Sequence, residues 1–206
     1  MGILSYIEYG LSWLFFNFKG RDEKLFTKGP AFANFPEPTM TVTSPDCGPS
    51  GSVMKPEYTQ VGDDRFPEIH WSTPSAEVKE YILICEDPDA PLPTPIYHGI
   101  FYAISPHTTK LTASDIELVK VEGKEEASPK GGFRFIKNRR GKHYAGPKPL
   151  LGHGSHRYFY QLIALNEPLD LAALGEKVTK DQLAAAIVGK VVGWGHWVGS
   201  FERKWE

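Results

Sequence analysis

The sequence predicts a mostly β fold with peripheral helices. Short runs of β-branched and aromatic residues alternate with Gly- and Pro-rich turn segments along most of the chain. Such runs are typical of strands, and a length of 206 residues suits a β-rich domain with a sizeable core. We therefore expect strands near residues 39–43, 67–72, 80–86, 98–104, 157–165 and 194–203.

One clear helix signal lies late in the chain. Thr179 and Gln182 have the spacing of a capping box, in which each side chain bonds the backbone N–H group near the other. The Ala-rich segment that follows favours a helix over residues 183–192. In the last strand, alternation places Trp194 and Trp197 on opposite faces.

A second helix is predicted near the start of the chain, within residues 3–18. Apolar side chains at three- and four-residue spacing share one face there: Ile7, Leu11, Leu14, Phe15 and Phe18. The sequence thus divides into an N-terminal amphipathic helix and connector (1–37) and a main domain (38–206). We expect this apolar face to pack on the protein's own domain, with a homodimer contact or a membrane surface as alternatives.

Composition narrows the class of protein. The net charge of −2 argues neither for nor against a nucleic-acid partner, and none is expected. The two cysteines, Cys47 and Cys85, do not form a disulfide framework, and Cys85 is expected to be a small buried hydrophobe. A cytoplasmic location, at most peripheral to membranes, fits these features.

The motif with the most information is Cys85-Glu86-Asp87-Pro88-Asp89-Ala90-Pro91, directly after an apolar run. Two prolines fix φ and stiffen the turn. Two carboxylates are therefore held at a strand end, where functional sites tend to be built.

Two later segments add to this motif. A strand-like run opens at His98, and the loop from Gly146 to Tyr158 reads G-P-K-P-L-L-G-H-G-S-H-R-Y. Together, D-P-D-A-P, the histidine and G-P-x-P…G-x-G-x-H-R-Y resemble the phosphatidylethanolamine-binding (Raf kinase inhibitor) protein family, in its bacterial and fungal branch. The resemblance covers about residues 38–205.

The resemblance implies an antiparallel two-sheet β-sandwich with one small anion-binding pocket. The positions carried over as ligand-binding are Asp87, Ala90, Pro91, His98, Gly146, Pro147, His156 and Tyr158. Two histidines beside backbone N–H groups of Gly146 and residues 152–154 would cradle an anion, with Asp87 orienting a histidine. No cofactor and no metal are expected.

Neighbouring residues receive other interpretations. Arg157 should point away from its two neighbours and form a structural ion pair, and Asp89 should cap its turn. His153 and His196 are more often structural than ligand-binding. Tyr97 stands where mammalian members have a second histidine, which changes the pocket rim.

A basic run lies within residues 130–143. It carries no acid among Lys130, Arg134, Lys137, Arg139, Arg140 and Lys142. The first interpretation is a solvated loop, and the alternative is a docking surface for anionic headgroups or an acidic partner.

Two functions follow from these residues. The first is a binder of a small anion such as a phospholipid headgroup, which regulates or inhibits a partner such as a kinase or serine carboxypeptidase. The alternative is an enzyme. His98, His156, Asp87 and Tyr158 provide the acid–base groups for isomerisation, dehydration or cyclisation of a small carbonyl compound.

Overall fold

The computed structural model describes residues 2–72, 75–120 and 127–205. Its ten strands are β1 Val42–Thr43, β2 Ile69–Trp71, β3 Glu80–Asp87, β4 Ile96–Ile104, β5 Lys110–Leu111, β6 Leu118–Val119, β7 Ser128–Pro129, β8 Arg134–Ile136, β9 His156–Leu165 and β10 Val191–Phe201. The helices are α1 Ile3–Leu14, α2 Ala113–Ile116, α3 Leu171–Leu174 and α4 Lys180–Ala186.

The strands form two main antiparallel sheets, as predicted. The larger sheet has the order β10-β9-β3-β4-β8, and the smaller has the order β1-β2-β5. Strands β6 and β7 form a separate pair. The central strand β3 is buried at all eight positions, because both faces of the large sheet are covered.

Two hydrophobic clusters cover these faces. One lies toward the small sheet, where Trp71 of β2 meets Tyr81 of β3 with ring centroids 5.6 Å apart. The other joins Ile82 of β3 to Leu183 of α4 and to Phe26 of the connector. Trp197 and Trp194 lie in the first and second cluster respectively, so their predicted alternation is confirmed.

Several predicted boundaries were wrong. The capping box at Thr179 is formed, but α4 ends at Ala186, because Gly189 takes a φ of 78° and β10 already begins at Val191. Strand β4 begins two residues before His98, which is therefore not its first residue. The first predicted strand is reduced to Val42–Thr43.

The N-terminal helix forms, but its orientation differs from the prediction. Ile7, Leu11 and Leu14 are exposed, and the single buried residue of α1 is Ser12. Glu8 instead pairs with Arg203 on the body of the protein. The expected packing through the Ile7–Leu11–Leu14 face was thus wrong, because polar contacts hold the opposite side of this helix against the protein.

The connector packs closely on the large sheet. Phe26 and Phe32 are buried in the second cluster, and the backbone N–H of Phe26 donates to the buried Glu86 carboxylate at 2.7 Å. Lys180 pairs with the same carboxylate. The division at residue 37 stays a prediction, although these contacts join both parts in one core.

Glu80 gives the fold a specific pH dependence. Its carboxyl is buried, and this burial raises its pKa to about 7. Between an unfolded pKa of about 4.3 and the folded value, only the unfolded chain loses the proton, so the free energy of unfolding falls as pH rises. Glu80→Gln should therefore be more stable than wild type by about 1–3 kcal/mol at pH about 8, and near-equal at pH about 4.

Urea unfolding at both pH values checks this expectation, with the exposed Glu77→Gln as the matched control. The expectation would be contradicted if the free energy of unfolding changed with pH equally in wild type and in Glu80→Gln.

Candidate functional site

A cavity of about 470 Å³ opens where β3, β4 and β9 meet the loop after Tyr144. Five of the eight predicted site residues line it: Asp87, Ala90, Pro91, His98 and His156. Gly146, Pro147 and Tyr158 are not among its lining residues. The topology thus brings both imidazoles to one cavity from strands separated by β3 in the sheet.

His98 is a half-buried side chain on β4 with one ring nitrogen in use. Its Nδ1–H donates to the Ala145 carbonyl at 2.6 Å, and the neighbouring Ala145 N–H bonds back to the His98 carbonyl. Burial lowers the pKa of His98. The neutral ring therefore carries its proton on Nδ1 and leaves Nε2 bare. Among the described residues, this buried Nε2 has no hydrogen-bond partner.

Tyr158 lies directly behind His98. The two ring centroids are 5.1 Å apart at an interplanar angle of 81°. Burial raises the pKa of Tyr158 far above its ordinary value, so the phenol stays neutral. Its hydroxyl is also buried and without a partner in the part of the chain that the structure describes. The bare basic nitrogen and the neutral hydroxyl donor thus belong to two rings in edge-to-face contact.

Asp87 organises the turn after β3. Its Oδ1 accepts the N–H groups of Asp89 and Ala90 at 2.8 and 3.0 Å. Asp87 therefore caps this turn, and the prediction that Asp89 does so was wrong. Asp89 instead binds Arg157, which also pairs with Asp22 at 2.8 Å. The structural ion pair predicted for Arg157 is confirmed.

A buried chain of hydrogen bonds runs from Asp87 to α1. Asp87 Oδ2 contacts His156 Nδ1 at 2.8 Å, His156 Nε2 contacts His153 Nδ1 at 2.7 Å, and His153 Nε2 contacts the Phe15 carbonyl at 2.8 Å. His153 and His156 are 0% and 1% exposed. His153 was expected to be structural, and its place in this chain of hydrogen bonds was not predicted.

The chain fixes a proton count. The Phe15 carbonyl can only accept, so His153 Nε2 carries a proton, and the remaining two contacts each need one more. Three protons are therefore shared among one carboxylate and two imidazoles, so the hydrogen-bonded chain carries no net charge. Burial lowers the pKa of His153. Both ring nitrogens of His156 are used within this chain, so His156 offers the cavity no unused N–H.

The prediction that backbone N–H groups cradle an anion was wrong for Gly146, Gly152 and His153, because protein acceptors already bind these N–H groups. The Gly146 N–H donates to Asp64 at 2.6 Å, and the Gly152 N–H donates to the Arg203 carbonyl at 2.7 Å. The His153 N–H likewise donates to Leu150. These three N–H groups satisfy the protein's own acceptors and are not available to a ligand.

Basic side chains of the 130–143 run take part in the cavity. Arg139 and Arg140 line it together with Lys148, and Arg140 also donates to Gln60. Both arginines are exposed, which agrees with the solvated-loop interpretation, and the docking alternative stays a prediction. Three cationic side chains in the lining favour an anionic ligand. Apolar walls are added by Leu92, Ile96, Pro149 and Leu150.

The remaining candidates lie elsewhere. His196 stacks between Trp194 and Phe159, at centroid distances of 5.7 and 5.6 Å, and does not line the cavity. Cys85 is buried, and burial raises its thiol pKa, as expected of a small core residue. Within residues 2–72, 75–120 and 127–205, no three His, Cys, Asp or Glu side chains are grouped as a metal site.

Fold and site together define a two-sheet β protein with a small His- and Tyr-containing pocket beneath a basic rim. The family model for phosphatidylethanolamine-binding protein matches residues 43–202. This chain belongs to that family.

Comparisons with individual proteins agree with this assignment. Phomoidride biosynthesis cluster protein B of Talaromyces stipitatus is 44% identical over 203 residues, which are 98% of this chain and 84% of that protein. A phosphatidylethanolamine-binding protein homologue from Chlamydia trachomatis superposes with a TM-score of 0.63 at 27% identity, over 81% of this chain and 99% of that one. Carboxypeptidase Y inhibitor, solved with its cognate proteinase, has a TM-score of 0.51 at 14% identity, over 98% and 96%, and shows the fold alone.

Proposed function

We propose that the protein is an acid–base catalyst of a biosynthetic pathway, acting on a small carbonyl compound that carries a carboxylate. The observation that supports this most is the pair formed by the bare His98 Nε2 and the Tyr158 hydroxyl, both buried and without partners in the described chain. Buried polar groups are normally paired, so two adjacent exceptions indicate a place for a ligand.

The chemistry of the pair suits proton abstraction next to a carbonyl. His98 Nε2 takes a proton from the carbon, which leaves the electron pair as an enolate. The Tyr158 hydroxyl donates a hydrogen bond to the enolate oxygen. The His98 imidazolium then returns its proton to carbon or to a leaving hydroxyl, giving isomerisation or dehydration.

The 44% identical relative is named as a biosynthesis cluster protein, which supports the biosynthetic part of the proposal. The basic lining supports the carboxylate, because Arg139, Arg140 and Lys148 line the cavity. Two arginines can bind a carboxylate through paired N–H groups.

The proposal is tested in a strain of the native host from which the gene is deleted. We expect this strain to accumulate one carboxylate-bearing metabolite, and purified protein added to its extract to consume that compound, as followed by liquid chromatography and mass spectrometry. The proposal would be contradicted if the deletion strain accumulated no such metabolite and the purified protein consumed none.

The rim gives a separate prediction on binding. Arg139→Ser and Arg140→Ser together should raise KM for that metabolite about a hundredfold or more with a smaller change in kcat, because each removes a charged contact worth about 1.5–3 kcal/mol. Lys204→Ser, an exposed lysine outside the cavity, is the matched control. An unchanged KM in the arginine variant would show that the ligand does not use this rim.

Binding of a phosphate or phospholipid headgroup, regulation of a kinase or serine carboxypeptidase, and a cytoplasmic location stay predictions. Inhibition of a serine carboxypeptidase by the purified protein would favour the regulatory role over catalysis.

A further inference from the structure

The outer surface of the N-terminal segment is apolar. Ten large hydrophobic side chains within residues 3–18 are between 38% and 79% exposed: Ile3, Leu4, Tyr6, Ile7, Tyr9, Leu11, Trp13, Leu14, Phe16 and Phe18. The rest of the described chain has five such residues, scattered over four places. Exposed apolar patches of this kind mark contact surfaces.

Polar contacts hold α1 in this orientation. Glu8 pairs with Arg203 and accepts the Leu151 N–H at 3.1 Å, while the Phe15 carbonyl accepts the His153 Nε2–H at 2.8 Å. The Tyr9 ring lies on Trp205 with centroids 4.4 Å apart. Turning the apolar side inward would break these contacts, so the exposed face is a fixed part of the structure.

We propose that this face docks on an anionic lipid bilayer, with α1 lying flat at the interface. Glu8 is the one charged residue of α1, and its pairing with Arg203 leaves the outward face without a charge to desolvate. Tyr6 and Trp13 are residues that settle at the boundary between headgroups and acyl chains. With 12 residues, α1 is too short to cross a bilayer.

One cation, Lys19, lies against the apolar surface, and two more lysines, Lys204 and Lys148, adjoin in sequence residues that contact α1 or its partner Arg203. Lys19 Nζ lies 5.0 Å from the Phe16 ring centroid, beside the apolar surface. Lys204 precedes Trp205, which packs on Tyr6 and Tyr9. Lys148 precedes Pro149, whose carbonyl binds the same Arg203 that holds Glu8. Each lysine near the surface adds an attraction that salt weakens.

Docking would also place the cavity near lipid. Pro149 and Leu150 line the cavity, and the next residue, Leu151, bonds directly to Glu8 of α1. Together with the apolar wall at Leu92 and Ile96, this geometry suits an acid with an alkyl chain that enters from the bilayer. This consequence rests on the proposed function, whereas the membrane contact does not.

The test measures co-sedimentation of the full chain with phosphatidylcholine vesicles containing about 25% phosphatidylserine. We expect wild type to bind, and Leu4→Ser/Trp13→Ser to lower the partition coefficient about tenfold or more, because two exposed side chains no longer enter the interface. Both side chains are more than 75% exposed, so the fold should not depend on them. Val188→Ser is the matched control, since Val188 is 59% exposed but lies outside this segment.

Further arms of the experiment can overturn the proposal. We expect weaker binding to vesicles of phosphatidylcholine alone and to mixed vesicles at high salt; equal binding in all three would exclude the anionic surface. No binding by wild type, or a homodimer that Leu4→Ser/Trp13→Ser dissociates, would assign the face to a second copy of the chain or to another protein. Turnover of metabolite in solution is measured in parallel, and its loss alone would count against the proposed function.

Discussion

Replacement of His98 by glutamine is expected to lower turnover of the pathway metabolite about 10²–10⁴-fold, the usual contribution of a general base. Glutamine keeps a polar side chain at this half-buried position but has no basic nitrogen. Tyr158→Phe should reduce kcat by a smaller factor, because it removes one hydrogen bond to the enolate oxygen and no proton acceptor. Single-turnover kinetics on the extracted metabolite measures both effects.

His196→Gln is the matched control for this series. His196 is also half-buried, and burial lowers its pKa too, but it stacks on Trp194 away from the cavity. We expect its turnover to stay within about twofold of wild type. Equal losses in His98→Gln and His196→Gln would show that the histidines act through the fold alone.

The pH profile provides an independent check of the same base. Since burial lowers the pKa of His98, its unprotonated form persists below the ordinary histidine range. Turnover should therefore fall only at pH values below about 6.5, and the acid limb should disappear in His98→Gln. An acid limb above that value would contradict the assignment.

Removal of the Asp87 carboxylate should have the largest effect on stability. Asp87→Ala is expected to lower the free energy of unfolding by about 3–5 kcal/mol, because it leaves the buried His156 Nδ1 without its carboxylate partner. It also removes the acceptor for the Asp89 and Ala90 N–H groups. Urea unfolding at neutral pH measures the change.

Two variants separate these contributions. Asp87→Asn retains an oxygen for the turn but no charge, so it should be less destabilising than alanine. Asp63→Ala, at an exposed loop position, should change the stability by less than about 0.5 kcal/mol. A loss below about 1 kcal/mol in Asp87→Ala would contradict the buried ion pair.

The family and much of the pocket could be predicted because the signals are local. Each of three motifs can be recognised from a few consecutive residues: the D-P-D-A-P turn, the strand with His98 and the loop ending in His156. The same holds for the start of α4. There the Thr179 side chain accepts the Gln182 backbone N–H, and the Gln182 side chain accepts the Thr179 backbone N–H.

The remaining features depend on partners far along the chain. Whether the Gly146 N–H is open to a ligand is decided by Asp64, 82 residues earlier. The orientation of α1 is decided by Arg203 and His153, which bind Glu8 and the Phe15 carbonyl. Spacing shows which residues share a helix face, but an almost wholly apolar helix gives no sign of which face turns inward.

The proposed catalysis depends most on the protonation state of the His98 ring. ¹H–¹⁵N NMR of protein with labelled histidines reports this state directly. At neutral pH, His98 should show a protonated Nδ1 and a bare Nε2, and addition of the extracted metabolite should shift the Nε2 signal. A proton on Nε2 at neutral pH, or a signal indifferent to the metabolite, would contradict the proposed base.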